Sequence, residues 1–449
     1  MSSKVIIIVS ILLLTACNRS GLLDSITSTN VETITSAEDV EHLLNNKFLY
    51  DWESNISVLI TDEISYNPSI YPQLNTRDIS FYYWRDNFIQ ENESFEDWKH
   101  YYNKILTVNA IIDFYSLKQT LSKYDKFLLG ISYFIRAKTY YDLMQLHSYA
   151  NINSESMLGV PLRITAYIDE TIQQLSIRAT FAFIDSDLQK ALNLTKEAEK
   201  TTSINILVNR KWILAFASRY FLYTQQYEKS LFYSKELLGI EGGSLINFTL
   251  YTNQNTRIFL QPDIIGTISF NSLESVLLSM MTNTNIYINE ELIGLYNNYD
   301  KRKSLFFTLR NGKYFYKNPY LASLFSSFMG FTYSEVFLNK LECELRLNYA
   351  QDYQASLAEW LSKRYTQNIF TSAYTNSLDF IRDERKKEFI MRGIRLADIK
   401  RYYNEGTDTQ LKKILDQNEV KITVSDPGIN ILYPNSVIKS FNIRQVARN

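Results

Sequence analysis

Glycine and proline are scarce in this chain, at 13 and 7 of 449 residues, against usual shares of about 7% and 5%. Folds made of many short strands need a turn roughly every ten residues, and turns draw on those two residue types. A turn-dense β-sandwich, a propeller and a collagen-like repeat are therefore excluded, and few glycines are left for phosphate-cradling loops. A mostly helical chain remains. Charge narrows function in turn. Lysine and arginine number 47 against 48 acidic residues, a net charge of −1, so no field of one sign steers the protein to nucleic acid or anionic lipid. Aromatic residues are in excess, with 33 Tyr, 26 Phe and 5 Trp.

The first residues read as a targeting segment. Lys4 precedes an apolar run from Val5 to Leu14, which ends in Thr15-Ala16-Cys17. About ten apolar residues are too few to span ~30 Å of hydrocarbon, so a signal peptide is expected rather than a transmembrane helix. Leu14 to Cys17 resembles a bacterial lipobox, whose cysteine is lipidated on sulfur and becomes the mature N-terminus. The expected division is a signal peptide over 1–16, lipidated Cys17 with a flexible tether over 17–36, and a single domain over 37–449. With Cys17 lipidated, Cys343 stands alone and no internal disulfide forms; its helical surroundings mark it as a packing residue.

Helical periodicity recurs along the rest. Ser36 and Asp39 form a capping-box pattern before Val40, Leu43 and Leu44. Helices are expected at about 95–121, 123–149, 174–198, 204–224, 227–238, 334–348, 352–364 and 377–402, with a short extended piece at Gly159-Val160-Pro161-Leu162. Short turns between helices, and small Ala215 and Ala217 at crossings, suggest degenerate pairs of the tetratricopeptide kind. Residues 51–92 read as a long irregular excursion rich in aromatics. Alternation in INFTLY and IIGTISF, and Asn311-Gly312 between FFTLR and KYFY, predict short strands and a hairpin. VKITV and INILY are further extended runs.

No catalytic constellation is visible. His42, His100 and His147 lack metal-ligand spacing, so no metal site and no cofactor are expected. There is no GxSxG elbow, P-loop or GxGxxG, and Glu290/Glu291 read as a solvated helix face. Nothing points to an enzyme. The densest charge pattern runs from Arg382 to Tyr402. Helical spacing sets Glu384 toward Lys387 or Glu388, Arg385 toward Glu388, and Arg395 toward Asp398. Gly393 is placed to end one helix and start another, with Ile381, Phe389, Ile390, Ile394, Ile399 and Tyr402 packing beneath.

This segment resembles the C-terminal signature of the SusD/RagB family of Bacteroidota outer-membrane nutrient-binding lipoproteins. Glu384, Arg385, Glu388, Phe389, Gly393, Arg395, Asp398, Ile399 and Arg401 stand at matching positions, while Arg392 and Tyr402 replace the usual Glu and Trp. The rest of the chain agrees in order: Trp98 to Asn109, Arg136-Ala137 with Asp142-Leu143, Gly159 to Leu162, Asp187-Leu188, Asp300 to Arg302 with Lys313-Tyr314, and, beyond the signature, Tyr433-Pro434. The resemblance implies a mostly α fold, with tetratricopeptide-like helix pairs as scaffold, long irregular loops and a few short β elements. It implies a lipid-anchored outer-membrane protein facing outside, which binds a glycan or oligosaccharide without breaking a bond and passes it to a SusC-like TonB-dependent barrel. Peptide binding of the RagB type, or a helical-repeat protein–protein adaptor, are the alternatives. The family's ligand site lies on loops, not on the signature. The candidate ligand contacts are Asp62, Tyr66, Tyr71, Tyr82, Trp84, Arg85 and neighbouring Asn87, with Tyr287 and Tyr296 from outside the excursion; aromatic faces stack on sugar rings and polar groups bond hydroxyls.

Overall fold

The computed structural model describes residues 34–50, 53–67, 76–85, 96–167, 169–196, 206–240, 245–251, 263–271, 286–320, 326–415 and 418–446. The lipobox with Cys17, most of the tether, Tyr71 and Asn87 lie outside the described residues. Helix α1 (Ala37–Leu44) opens with the expected capping box: Asp39 N–H donates to Ser36 Oγ at 3.2 Å, and Ser36 N–H to Asp39 Oδ2 at 3.0 Å. The aromatic excursion is more regular than its sequence suggested. It contains α2 (Ile56–Leu59), β1 (Ile64–Tyr66) and α3 (Thr76–Tyr82).

The scaffold follows. It comprises α4 (Glu96–Ser116), α5 (Lys123–His147), the paired strands β2 (Leu158–Leu162) and β3 (Gln173–Ser176), α6 (Ile177–Thr195), α7 (Arg210–Tyr223) and α8 (Tyr227–Leu238). Helix α5 packs on both α4 and α6, and α7 on α8, giving the stacked pairs expected of tetratricopeptide-like repeats. Gly130 is where α5 and α6 come closest, since a Cβ there would lie 2.7 Å from Thr195 Cγ2. Short β elements come next: β4 (Ile264–Gly266), β5 (Ser269–Asn271), β6 (Ile286–Ile288), the small helices α9 (Glu290–Gly294) and α10 (Lys301–Phe306), the hairpin β7 (Phe307–Arg310) and β8 (Lys313–Tyr316), then β9 (Ser326–Phe328) and β10 (Phe331–Thr332). The hairpin turns through Asn311 at φ 48° and Gly312 at φ 75°, as its Asn-Gly pair predicted. INFTLY is not a strand; Phe248–Leu250 form a 3₁₀ turn capped by Asn247.

Helices α11 (Tyr333–Arg346), α12 (Ala350–Arg364), α13 (Ser372–Thr375), α14 (Leu378–Glu388) and α15 (Arg395–Asn404) complete the scaffold, with α11 packed on α8, α12 and α14. Gly393 at φ +68° separates α14 from α15, as expected. The tail forms the hairpin β11 (Gln410–Leu415) and β12 (Asn418–Thr423), then α16 (Asn435–Phe441). INILY forms no strand, and its Ile431 N–H instead donates to Leu146 O at 2.9 Å. Lys400 ties the same helix end down. Its buried ammonium donates to Gln145 O and Ser148 O, both at 2.6 Å, and to Asn430 Oδ1 at 3.0 Å. Among the described residues no helix is long and apolar enough to cross a membrane.

The charged signature is not a solvated face. Arg302, fully buried, donates to Asp300 at 2.7 and 2.9 Å, to Glu384 at 2.7 Å, to Glu388 at 3.0 Å and to Tyr365 at 2.8 Å. Arg364 takes the other side of Glu388, at 2.9 and 3.1 Å. Trp360 Nε1 donates to Glu384 at 2.7 Å, and Lys387 pairs with Glu384 at 2.5 Å. The expected pairing of Arg385 with Glu388 is corrected: Glu388 belongs to Arg302 and Arg364, and Arg385 grips Asp398 at 2.9 to 3.1 Å. Arg395 pairs with Asp62 rather than Asp398. Tertiary neighbours overrode helical spacing in both cases, because a dry carboxylate requires a fully matched cation. Arg392 pairs with Glu335 at 3.2 Å and bonds Gly330 O at 2.8 Å.

Two outcomes follow. Arg302→Met leaves only Lys387 and Arg364 to balance the three buried carboxylates of Asp300, Glu384 and Glu388, so a loss of about 3–5 kcal/mol is expected from urea unfolding. Burial lifts the Glu384 carboxyl, but Arg302 and Lys387 outweigh it and hold it at about 2, below its ordinary 4.5. A depressed folded value gives stability that is present above pH 4.5 and lost as pH falls toward 2. Melting temperature should therefore drop across that window, and less steeply in Glu384→Gln.

Candidate functional site

The turn after α3 carries the most unusual backbone among the aromatic candidates. Trp84 N–H donates to Phe81 O at 3.2 Å and Arg85 N–H to Ser80 O at 2.8 Å, which is the hydrogen-bond pattern of a Schellman helix end. In that motif the residue at the Trp84 position adopts the left-handed region and is usually glycine. Here it is a tryptophan at φ 56°. The left-handed backbone costs an L-residue roughly 1–2 kcal/mol, and such a cost persists where the surroundings over-determine it.

The indole is only partly buried. Its Nε1 donates to Ile60 O at 3.0 Å. With Tyr83 it forms one wall of a shallow groove of about 280 Å³, whose other wall is Val420, Lys421 and Ile422 of β12 and the following turn at Asp426 and Gly428. Asp426 Oδ1 accepts from Gly428 N–H at 2.7 Å, and exposed Lys421 pairs with Glu419 at 2.6 Å. Arg85 is exposed at the turn, with its guanidinium carbon 5.5 Å from the Tyr83 ring centroid. One aromatic wall with a carboxylate and an ammonium suits a flat ligand with polar edges better than an enclosed apolar one.

The other sequence candidates fall elsewhere. Asp62 is committed to an ion pair, with Arg395 at 2.9 and 3.1 Å and Lys386 at 2.8 Å. Burial pushes its carboxyl up, but those two cations outweigh this and hold it far below the carboxylate range. Tyr66 and Tyr82, expected at a ligand surface, are core residues at 4% and 2% exposure with ring centroids 4.3 Å apart. Tyr296 is likewise core, and its hydroxyl donates to Lys387 O at 2.8 Å. In each case the apolar ring found more burial than the irregular sequence implied. Tyr287 is half-buried on β6 with the Lys313 ammonium 4.5 Å from its centroid. Strand β6 pairs with β1, Ser65 opposite Tyr287, so the excursion and the outlying Tyr287 do meet.

Lys421 and Asp426 were missed. VKITV was legible as an extended run, but nothing local placed it or Asp426 beside residue 84. Cys343 is buried on α11, where burial pushes its thiol up to about 12, as befits packing. His147 is buried too, with Nδ1 2.8 Å from Ile431 O, and burial pushes it down to about 4. Among the described residues no three His, Cys, Asp or Glu side chains gather as metal ligands do.

The architecture is that of stacked helix pairs, with a shallow, largely polar groove where the turn after α3 meets β12. Residues 25–222 match the SusD-like family profile described as "Starch-binding associating with outer membrane". A comparison with curated proteins gives no match. Among solved structures, a SusD superfamily protein from Bacteroides thetaiotaomicron superposes with a TM-score of 0.75 at 18% identity, over 92% of this chain and 100% of that one. A SusD superfamily protein from Bacteroides vulgatus gives 0.74 at 16% identity, over 92% and 99%. Surface glycan-binding protein A from B. thetaiotaomicron, in complex with laminarihexaose, gives 0.66 at 14% identity, over 92% and 100%. Residues 25–222 thus carry the SusD-like family profile, and the fold over most of the chain is that of the solved SusD superfamily proteins.

Proposed function

We propose that this protein is a glycan-binding lipoprotein of the outer membrane. In this reading residues 1–16 are removed, Cys17 carries the lipid and residues 17–36 tether a single domain. The domain holds an oligosaccharide in the Trp84 groove, at the outer surface, and passes it to a SusC-like TonB-dependent barrel. It is a carrier and breaks no bond. The family's starch-binding description and the laminarihexaose bound to a relative of like fold support carbohydrate as the ligand class.

The observation that carries the reading is Trp84 itself. A bulky aromatic occupies a left-handed position where glycine would cost nothing, and one side of it faces a groove. Pyranose rings present C–H faces to such surfaces, while Asp426, Lys421 and Arg85 are within the same neighbourhood for hydroxyls. Trp84→Ala should lower affinity for the preferred oligosaccharide roughly tenfold, about 1.4 kcal/mol, in calorimetric titration across malto- and laminari-oligosaccharides. Unchanged affinity in a folded variant would remove the groove as the site. Cys17→Ala should release the protein from the membrane fraction, and retention there would refute the lipid anchor.

A further inference from the structure

Beneath Trp84 runs a stretch of backbone whose carbonyls are all taken. Ile60 O accepts from Trp84 Nε1 at 3.0 Å. The flanking carbonyls, Leu59 O at 3.4 Å and Thr61 O in a shorter contact, accept from the ammonium of Lys413 on β11. That ammonium lies 3.8 Å from the Tyr82 ring centroid and 6.0 Å from that of Trp84. The next residue on β11, Ile414, accepts the Tyr83 hydroxyl at 2.8 Å. Two neighbouring residues of one strand thus contact Tyr82 and Tyr83 directly and reach Trp84 through the backbone that anchors its indole.

Lys413 is an expensive residue to place there. It is 2% exposed and forms no ion pair among the described residues. Asp62 and Glu63 lie near enough to be felt, but Asp62 is engaged by Arg395 and Lys386. Burial pushes the ammonium down to about 7. An apolar side chain would fill the same space without that desolvation. What the Lys413 nitrogen adds is geometry: it fixes the two carbonyls either side of the one that anchors the indole, and it sits over the Tyr82 ring.

We infer that Lys413 is a positioning residue, which locks the Leu59–Thr61 backbone and Tyr82 so that the Trp84 indole stands as a fixed wall of the groove. The importance of that wall for a ligand rests on the carbohydrate reading above, whereas the positioning itself does not.

The test uses the full-length protein, with Lys413→Met keeping the aliphatic stem and removing the ammonium. Trp84 emission is isolated by subtracting spectra of the same proteins carrying Trp84→Phe. In Lys413→Met the Trp84 component should shift to the red and its acrylamide quenching should rise at least twofold, with far-UV circular dichroism unchanged. Affinity for laminarihexaose or maltohexaose, whichever the wild type binds, should fall at least fivefold. An unaltered Trp84 component in folded Lys413→Met overturns the inference. Should that variant fail to fold, Lys413→Gln removes the charge while keeping a polar stem and should give the same red shift; no shift there overturns the inference equally. If the Trp84 component moves but the wild type binds neither oligosaccharide, Lys413 positions the indole and the carbohydrate reading fails instead. If the wild type binds and Lys413→Met alters neither emission nor affinity, the carbohydrate reading stands and the positioning role is lost.

Discussion

Arg302 is the point on which the C-terminal half of this molecule turns. One guanidinium, wholly out of water, reaches the Asp300 carboxylate that caps its own helix α10, two carboxylates on α14, and the phenol of Tyr365 just beyond α12. Glu388 then hands the contact on to Arg364, whose Nη1 secures Ile246 O at 2.7 Å and whose Nη2 secures Ser334 on α11 at 2.8 Å. Each charge is tolerable only because its partners are present and oriented. Buried ion networks contribute little net stability, but a network missing one member is severely penalised. The arrangement therefore enforces register: α10, α12 and α14 dock in one relative placement or pay for several naked charges. Cation–π faces tighten it further, with Arg364 4.2 Å from the Trp360 ring and 4.0 Å from that of Phe248.

Much of the scaffold was readable because its rules are local. The 3.6-residue period marked α4 to α8, Ser36 with Asp39 marked a helix start, Asn311-Gly312 marked a hairpin, and Gly393 marked the break before α15. The signature's charge pairs were misread for the same reason that they matter. Helical spacing describes an exposed helix, and these side chains choose partners up to 333 positions away, as Arg395 does with Asp62. The excursion over 51–92 was misjudged through its aromatics. Tyr66 and Tyr82 looked like surface platforms, but a large ring serves a core equally well, and sequence carries no sign of which use is made.

The groove shows the remaining gap. Trp84 was a candidate because it is aromatic and lies in the excursion. Its left-handed backbone was invisible, since the Schellman pattern of hydrogen bonds depends on where α3 ends. The opposite wall lies more than 330 positions along, on a hairpin whose first strand was not foreseen. Asp426 and Lys421 have no local character that separates them from other surface charges. Only the approach of β12 to the α3 turn makes them neighbours of an indole.

The end of α5 has a consequence for how the chain comes to be folded. Ser148 closes Met144 O locally, but Gln145 O and Leu146 O are finished by Lys400 and by the backbone at Ile431, roughly 250 and 280 positions later. Helices α4 to α6 can pack as they emerge, yet the C-terminus of their central member stays open until almost the whole polypeptide exists. Closure over such distances is slow compared with forming the local pairs. The helical stack is thus an early, incomplete body, and the tail is the clasp that finishes it. A chain truncated before residue 400 would keep most of its helical sequence and still lack the contacts that seal α5, the longest helix among the described residues.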